Sequence, residues 1–148
     1  VPGTYAPTSE IVALATVAGG LGGVYASHMR NEGTELEKAV AEALHVGEQA
    51  QCPVQISHLK VDSPANWGAS AKALGLIDAA RRKGMRVNAD QYAYSAASSS
   101  LGIRFPAWVL EGGQEQINGR LDDAETWARI KKEMRALIRE HVDPAHCD

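Results

Sequence analysis

Extended and helical hydrophobic periods alternate along the first ninety or so residues. Residues 10–21 (EIVALATVAGGL) are apolar and of helical length, and Thr8 or Ser9 is placed to cap a helix starting near Glu10. Gly19, Gly20, Gly22 and Gly23 end that helix and turn the chain into a short apolar strand, residues 24–28 (VYASH). Residues 34–50 form the clearest amphipathic helix. Leu36, Val40, Ala43, Leu44 and Gly47 share one face, while Glu35, Lys38, Glu42 and Glu48 decorate the rest. Thr34 and Glu37 have the spacing of a capping box. Cys52-Pro53 stops this helix and opens a second strand, residues 54–58 (VQISH). A polar loop over 59–68 leads to a helix over 69–83, and Gly84 leads into a third strand, residues 86–90 (RVNAD).

The order is regular. His28 and His58 lie 30 residues apart, and Asp90 follows 32 residues after His58. That is the size of one strand, crossover helix and next parallel strand. The spacing predicts an α/β fold with three parallel strands whose C-terminal ends share one edge. Both histidines fall at that edge, where parallel α/β folds place functional groups. Side chains alternate along a strand, so Val24, Ala26 and His28 share one face, as do Val54, Ile56 and His58. The two strands are therefore expected in the same phase, with ring nitrogens about 3–5 Å apart.

After Asp90 the period stops. Residues 91–100 read as a loop, 106–113 as a short helix with a glycine stop, and 114–119 as a further turn. Asp122 or Asp123 is expected to cap a last helix, about 124–140, with Trp127, Ile130, Met134, Leu137 and Ile138 on its apolar face. The division is drawn between residues 1–104 and a helical insertion or tail over 105–148.

The histidine pair admits two readings. Two imidazoles from neighbouring strand ends can reach one metal ion, although a zinc site needs three or four ligands. They can equally be strand-end histidines hydrogen-bonded in a polar cleft. Lys60 begins the loop after His58, where a fixed cation could hold a carboxylate or simply be solvated. Arg30 stands in the same relation to His28. Asp90 suits a general base, a metal ligand or a hydrogen-bond anchor, and capping of the next turn is the commoner case for a strand-end aspartate. Tyr92 and Tyr94 could contact a ligand or pack. Arg104 reads as solvent-facing, and His45, His141 and His146 as surface or helix-end residues. The glycine run 19–23 precedes a strand instead of leading from strand to helix, which excludes a phosphate-binding loop.

Composition narrows the partners. With 45% hydrophobic and 22% charged residues the chain reads as globular. A net charge of −3 gives no reason to expect nucleic acid or a membrane surface as partner. Apolar runs are too short for a transmembrane helix. Cys52 and Cys147 fit no CxxC pattern, and a reducing, cytoplasmic setting is expected. The chain opens on Val1 without a methionine, and both ends read as cut.

Together, GGVYASHMRNEG (22–33), PVQISHLK (53–60), NWG (66–68) and ADQYAY (89–94) resemble the N-acyl-D-amino-acid deacylases, or D-aminoacylases, of the amidohydrolase superfamily. The resemblance covers roughly residues 1–115. It implies part of a (β/α)8 barrel of the metal-dependent hydrolase type, with Zn2+ at the strand ends. The implied reaction is hydrolysis of the amide of an N-acyl-D-amino acid, a small-molecule substrate. On this resemblance His28 and His58 match the metal-ligand histidines of the fifth and sixth strands. Lys60 and Tyr92 match positions that bind the substrate's α-carboxylate, and Ala93 replaces the family's usual proline. The family's paired HxH, its cysteine ligand and its acid/base aspartate have no counterparts here, and neither Cys52 nor Asp90 fills those roles. The resemblance therefore implies an internal piece, inactive alone, with about three of eight strands. Such a piece is expected to self-associate through open sheet edges or to cover an edge with its helical tail. A non-catalytic α/β module and an amidohydrolase acting on cyclic amides are the competing readings.

Overall fold

The computed structural model describes residues 5–94 and 96–141, the side chains of residues 101, 140 and 141 excepted. The chain forms two compact units, Val1–Ala93 and Tyr94–Asp148, and the expected division at residues 104 and 105 falls inside the second. Among the described residues no helix is long and apolar enough to cross a membrane.

The first unit runs α1 (Thr8–Gly20), β1 (Tyr25–Ser27), α2 (Leu36–Ala50), β2 (Val54–Ile56), α3 (Ser70–Arg82) and β3 (Val87–Ala89). The strands are parallel and lie in the order β1-β2-β3, as the period predicts. Each is shorter than its apolar run, because pairing stops before the histidines and before Asp90. Val54, Ile56 and Val87 are buried in one cluster with Leu36, Val40, Ala43 and Leu44 of α2 and Ala73, Ile77 and Ala80 of α3. These are the stripes that helical periodicity assigns to the core. A smaller cluster joins α1 to the other side of α2 through Ala15, Val46, Ala50 and Cys52.

The register corrects the expected phase of the strands. Tyr25 pairs with Val54, Ala26 with Gln55 and Ser27 with Ile56. Tyr25, not Val24 or Ala26, therefore shares the helix-covered face of Val54 and Ile56. Ala26, Gln55 and Asn88 share the opposite face. A tyrosine packed against the core sets this register, and Val24 is left before the strand, exposed. Val24, Tyr25 and Ala26 are all apolar enough to face a core, so alternation alone does not choose among them.

The caps also differ from expectation. Thr8 begins α1 instead of capping it, and its hydroxyl donates to Glu42 Oε1 of α2 at 2.5 Å. Thr34 makes no capping box. Asn31 Oδ1 accepts the backbone N–H groups of Gly33 and Glu35, at 2.9 and 3.1 Å, and so leads the chain into α2.

α2 lies very close to β2. A Cβ added to Gly47 would sit 2.0 Å from Val54 Cγ2 and 3.3 Å from the Cys52 carbonyl oxygen. Gly47→Ala gains up to about 1 kcal/mol of helix propensity but forces a core displacement costing about 1–3 kcal/mol. A lower urea midpoint is expected; an unchanged or raised one would show that β2 can yield.

The second unit holds 3₁₀ turns at Leu101–Arg104 and Ala107–Leu110, then α4 (Gln114–Asp122) and α5 (Ala124–His141). Asp123 accepts the Thr126 N–H at 2.8 Å, the expected cap of the last helix. Of the five apolar positions expected on α5, Ile130 is fully buried, whereas Trp127 and Ile138 are exposed. Trp108 Nε1 donates to Glu133 at 2.7 Å, and the Arg129 guanidinium lies 4.2 Å from the Trp108 ring centroid. These contacts pin the Ala107–Leu110 turn to α5.

Candidate metal centre

The C-terminal edge of the parallel sheet brings the two histidines together. His28 follows β1 directly. His58 lies in a turn after β2, with φ of 41°, a left-handed conformation uncommon outside glycine. Asp90 holds it there. Asp90 Oδ1 accepts the His58 backbone N–H at 2.8 Å, and Oδ2 accepts from Gln55 Nε2 at 2.5 Å. The His58 N–H first, then the Gln55 amide, keep Asp90's carboxyl below the usual carboxylate range. Asp90 here makes the hydrogen bonds of an anchor, and the turn it holds is the one after β2.

The turn also explains how the rings meet despite the register. Ser27 stands against Ile56, so the continued ladder would set His28 beside Ser57. Because β2 ends at Ile56, strict alternation does not extend to His58. The ring centroids lie 4.3 Å apart at 47°, and His58 Nε2 meets His28 Nδ1 directly, closer than the expected spacing.

Lys60 stands at the same site. Its ammonium contacts Glu32 Oε2, lies 3.0 Å from His58 Nδ1 and 3.4 Å from the His58 carbonyl oxygen, and sits 5.7 Å from the Tyr92 ring centroid. The structure therefore gathers His28, His58, Lys60 and Tyr92 in one place. Arg30 belongs elsewhere: it pairs with Glu42 at 2.8 Å and donates to the Ala6 carbonyl at 2.7 Å, tying the loop after β1 to α2 and to the segment before α1. His45 is exposed on α2, as expected of a helix-surface residue. His146 and Cys147 lie outside the described residues.

Glu32 was not picked out by sequence reasoning. Its Oε1 lies 2.8 Å from His58 Nδ1, and its Oε2 meets Lys60. Its position in the loop after the first histidine is the one sequence signal, and loops at this edge carry many acidic residues without function. What aims it is packing between two loops. The Glu32 carbonyl accepts the Asp62 N–H at 2.9 Å, and Asn66 Nδ2 donates to the Gly33 carbonyl at 2.7 Å.

As a metal centre the donor set is partial. Among the described residues no group of three or more His, Cys, Asp and Glu side chains could hold an ion. Imidazole nitrogens are of a ligand type zinc accepts, but two are fewer than the three or four a zinc site needs.

The three parallel strands joined by helices match part of the barrel of the D-aminoacylase amidohydrolases. The chain is homologous to the N-acyl-D-amino-acid deacylases over about 20% of their length. It is 45% identical over 100 residues to N-acyl-D-glutamate deacylase of Alcaligenes xylosoxydans xylosoxydans, a match covering 68% of this chain and 20% of that protein. Among solved structures, N-acyl-D-glutamate deacylase from Bordetella bronchiseptica matches with TM-score 0.61 and 41% identity, over 63% of this chain and 20% of that one. That structure holds zinc and a phosphonate inhibitor mimicking the tetrahedral intermediate of the reaction. A D-aminoacylase structure, described as defining a novel subset of amidohydrolases, matches with TM-score 0.61 and 39% identity, over 66% of this chain and 20% of that one. No protein-family model matches the chain.

Proposed function

We propose that this chain supplies, within a complete zinc-dependent N-acyl-D-amino-acid deacylase, two metal ligands and a substrate-carboxylate site. The observation that carries the reading is the convergence of His28 and His58 at the edge of a parallel sheet, with Lys60 beside them. His58 through Nε2 and His28 through Nδ1 would hold the ion. Zinc in such a site polarises the amide carbonyl and activates water. The Lys60 ammonium has three donors. Glu32 Oε2 takes one and His58, through Nδ1 or its carbonyl, takes a second, and the third serves the α-carboxylate of an N-acyl-D-amino acid. Tyr92, half-buried beside Lys60, lines the same subsite. The proton-shuttling carboxylate and the remaining ligands come from other parts of the enzyme, so the 148-residue chain alone is expected to hydrolyse next to nothing.

Extending the reading frame in both directions tests this. Further metal ligands upstream, a strand-end aspartate downstream, and zinc-dependent hydrolysis of N-acetyl-D-methionine or N-acetyl-D-glutamate by the extended product are expected, with the L-isomers left intact. Stop codons at both boundaries would establish the non-catalytic module. Turnover of cyclic amides alone would establish the other hydrolase.

A further inference from the structure

The carboxylate of Glu32 touches two of the four residues gathered at the site, and it touches each through a different oxygen. Oε2 meets the Lys60 ammonium, and Oε1 lies 2.8 Å from His58 Nδ1. All three side chains are largely withdrawn from solvent, Glu32 being 17% exposed, Lys60 19% and His58 25%. Oε1 itself is shut off from solvent. Among the described residues no hydrogen bond satisfies it, and His58 Nδ1 stands 2.8 Å from it.

A neutral imidazole carries its proton on one nitrogen. Two groups compete for Nδ1. The Lys60 ammonium, 3.0 Å away, could donate to it, which would put the imidazole proton on Nε2. Glu32 Oε1 could accept from it, which requires the proton on Nδ1. The first arrangement leaves a carboxylate oxygen buried with no donor, which is costlier for a charged group than for a neutral one. The second satisfies that oxygen, and the ammonium keeps Glu32 Oε2 and the His58 carbonyl. Burial of Oε1 therefore selects the second.

We propose that Glu32 is a positioning residue: it holds His58 as the Nδ1–H tautomer, so that Nε2 turns its lone pair toward His28, and it holds Lys60 beside His58 with the same carboxylate. The functional side of this inference rests on the metal reading above. A carboxylate behind a ligating histidine fixes the ring and raises its basicity as a ligand. Here the same carboxylate also places the cation, so the metal ligand and the carboxylate-binding group share one support.

The test starts on the metal-free chain. Long-range ¹⁵N–¹H correlation spectra of the imidazoles, at a pH where histidine is neutral, report which nitrogen of His58 is protonated. The proton is expected on Nδ1 in the wild type and in Lys60→Met, and on Nε2 or divided between the nitrogens in Glu32→Gln. Backbone amide spectra establish that each variant is folded, and the Glu32 carbonyl keeps its bond to the Asp62 N–H in either variant. A wild-type His58 protonated on Nε2, or a tautomer unmoved by Glu32→Gln, would overturn the proposal. Zinc titration follows separately, and Glu32→Gln is expected to weaken binding by about 10–100-fold. Wild-type chain that shows the Nδ1–H tautomer yet takes up no zinc would remove the metal reading and leave the role of Glu32 standing.

Discussion

His58→Ala lowers the zinc affinity of the chain by on the order of 100-fold or more, and His28→Ala does the same. The wild-type chain is itself expected to bind weakly, since two imidazoles are fewer than the three or four ligands of a zinc site. Each histidine supplies one of the two nitrogens that meet at the sheet edge, so losing either leaves a single imidazole. A 100-fold change corresponds to about 2.7 kcal/mol. His45→Ala is the control, because His45 is exposed on α2. Its affinity is expected to equal that of the wild type. Competition with a chromophoric chelator reads all four proteins. Wild-type affinity in His58→Ala would mean that the two rings are hydrogen-bonded cleft residues, and the proposed function would lose its support.

The largest expected effect on stability is at Ile56. This residue is fully buried, 0% exposed, and belongs to the cluster that joins β2 to α2 and α3. Ile56→Ala removes three carbons where two helices and a strand meet, and such truncations cost about 2–5 kcal/mol. Domains are commonly stable by about 5–15 kcal/mol, so this is a large share. The cost should fall at the high end. The helix side of the strand is closely packed, as the approach of α2 at Gly47 shows, and leaves little room to collapse into a cavity. Ala26→Ser is a suitable comparison, because Ala26 lies on the exposed face of the sheet, and a change of about 0.5 kcal/mol or less is expected. Urea unfolding followed by far-ultraviolet circular dichroism measures both. Equal midpoints for Ile56→Ala and Ala26→Ser would show that the helix-covered face is not the core.

Elements and order in this chain follow from local chemistry. The 30-residue spacing places the strands, and the stripe of Leu36, Val40, Ala43, Leu44 and Gly47 turns α2 onto them. Parallel pairing with helical crossovers then puts His28 and His58 on one edge. Those features need only periodicity and chain connectivity. Three others were decided by tertiary structure. The register of β1 was set by where Tyr25 could be buried, a choice that three neighbouring apolar residues left open. The turn at His58 depends on a carboxylate 32 residues away, since the Asp90 side chain holds the His58 N–H. Glu32 reaches His58 and Lys60 because the loops after β1 and β2 pack on each other through Asp62, Gly33 and Asn66. Periodicity along the chain reports which residues prefer a core. It carries no information about which of several apolar residues wins that core, or which polar atoms meet across two loops, because those outcomes depend on distances between segments remote in sequence.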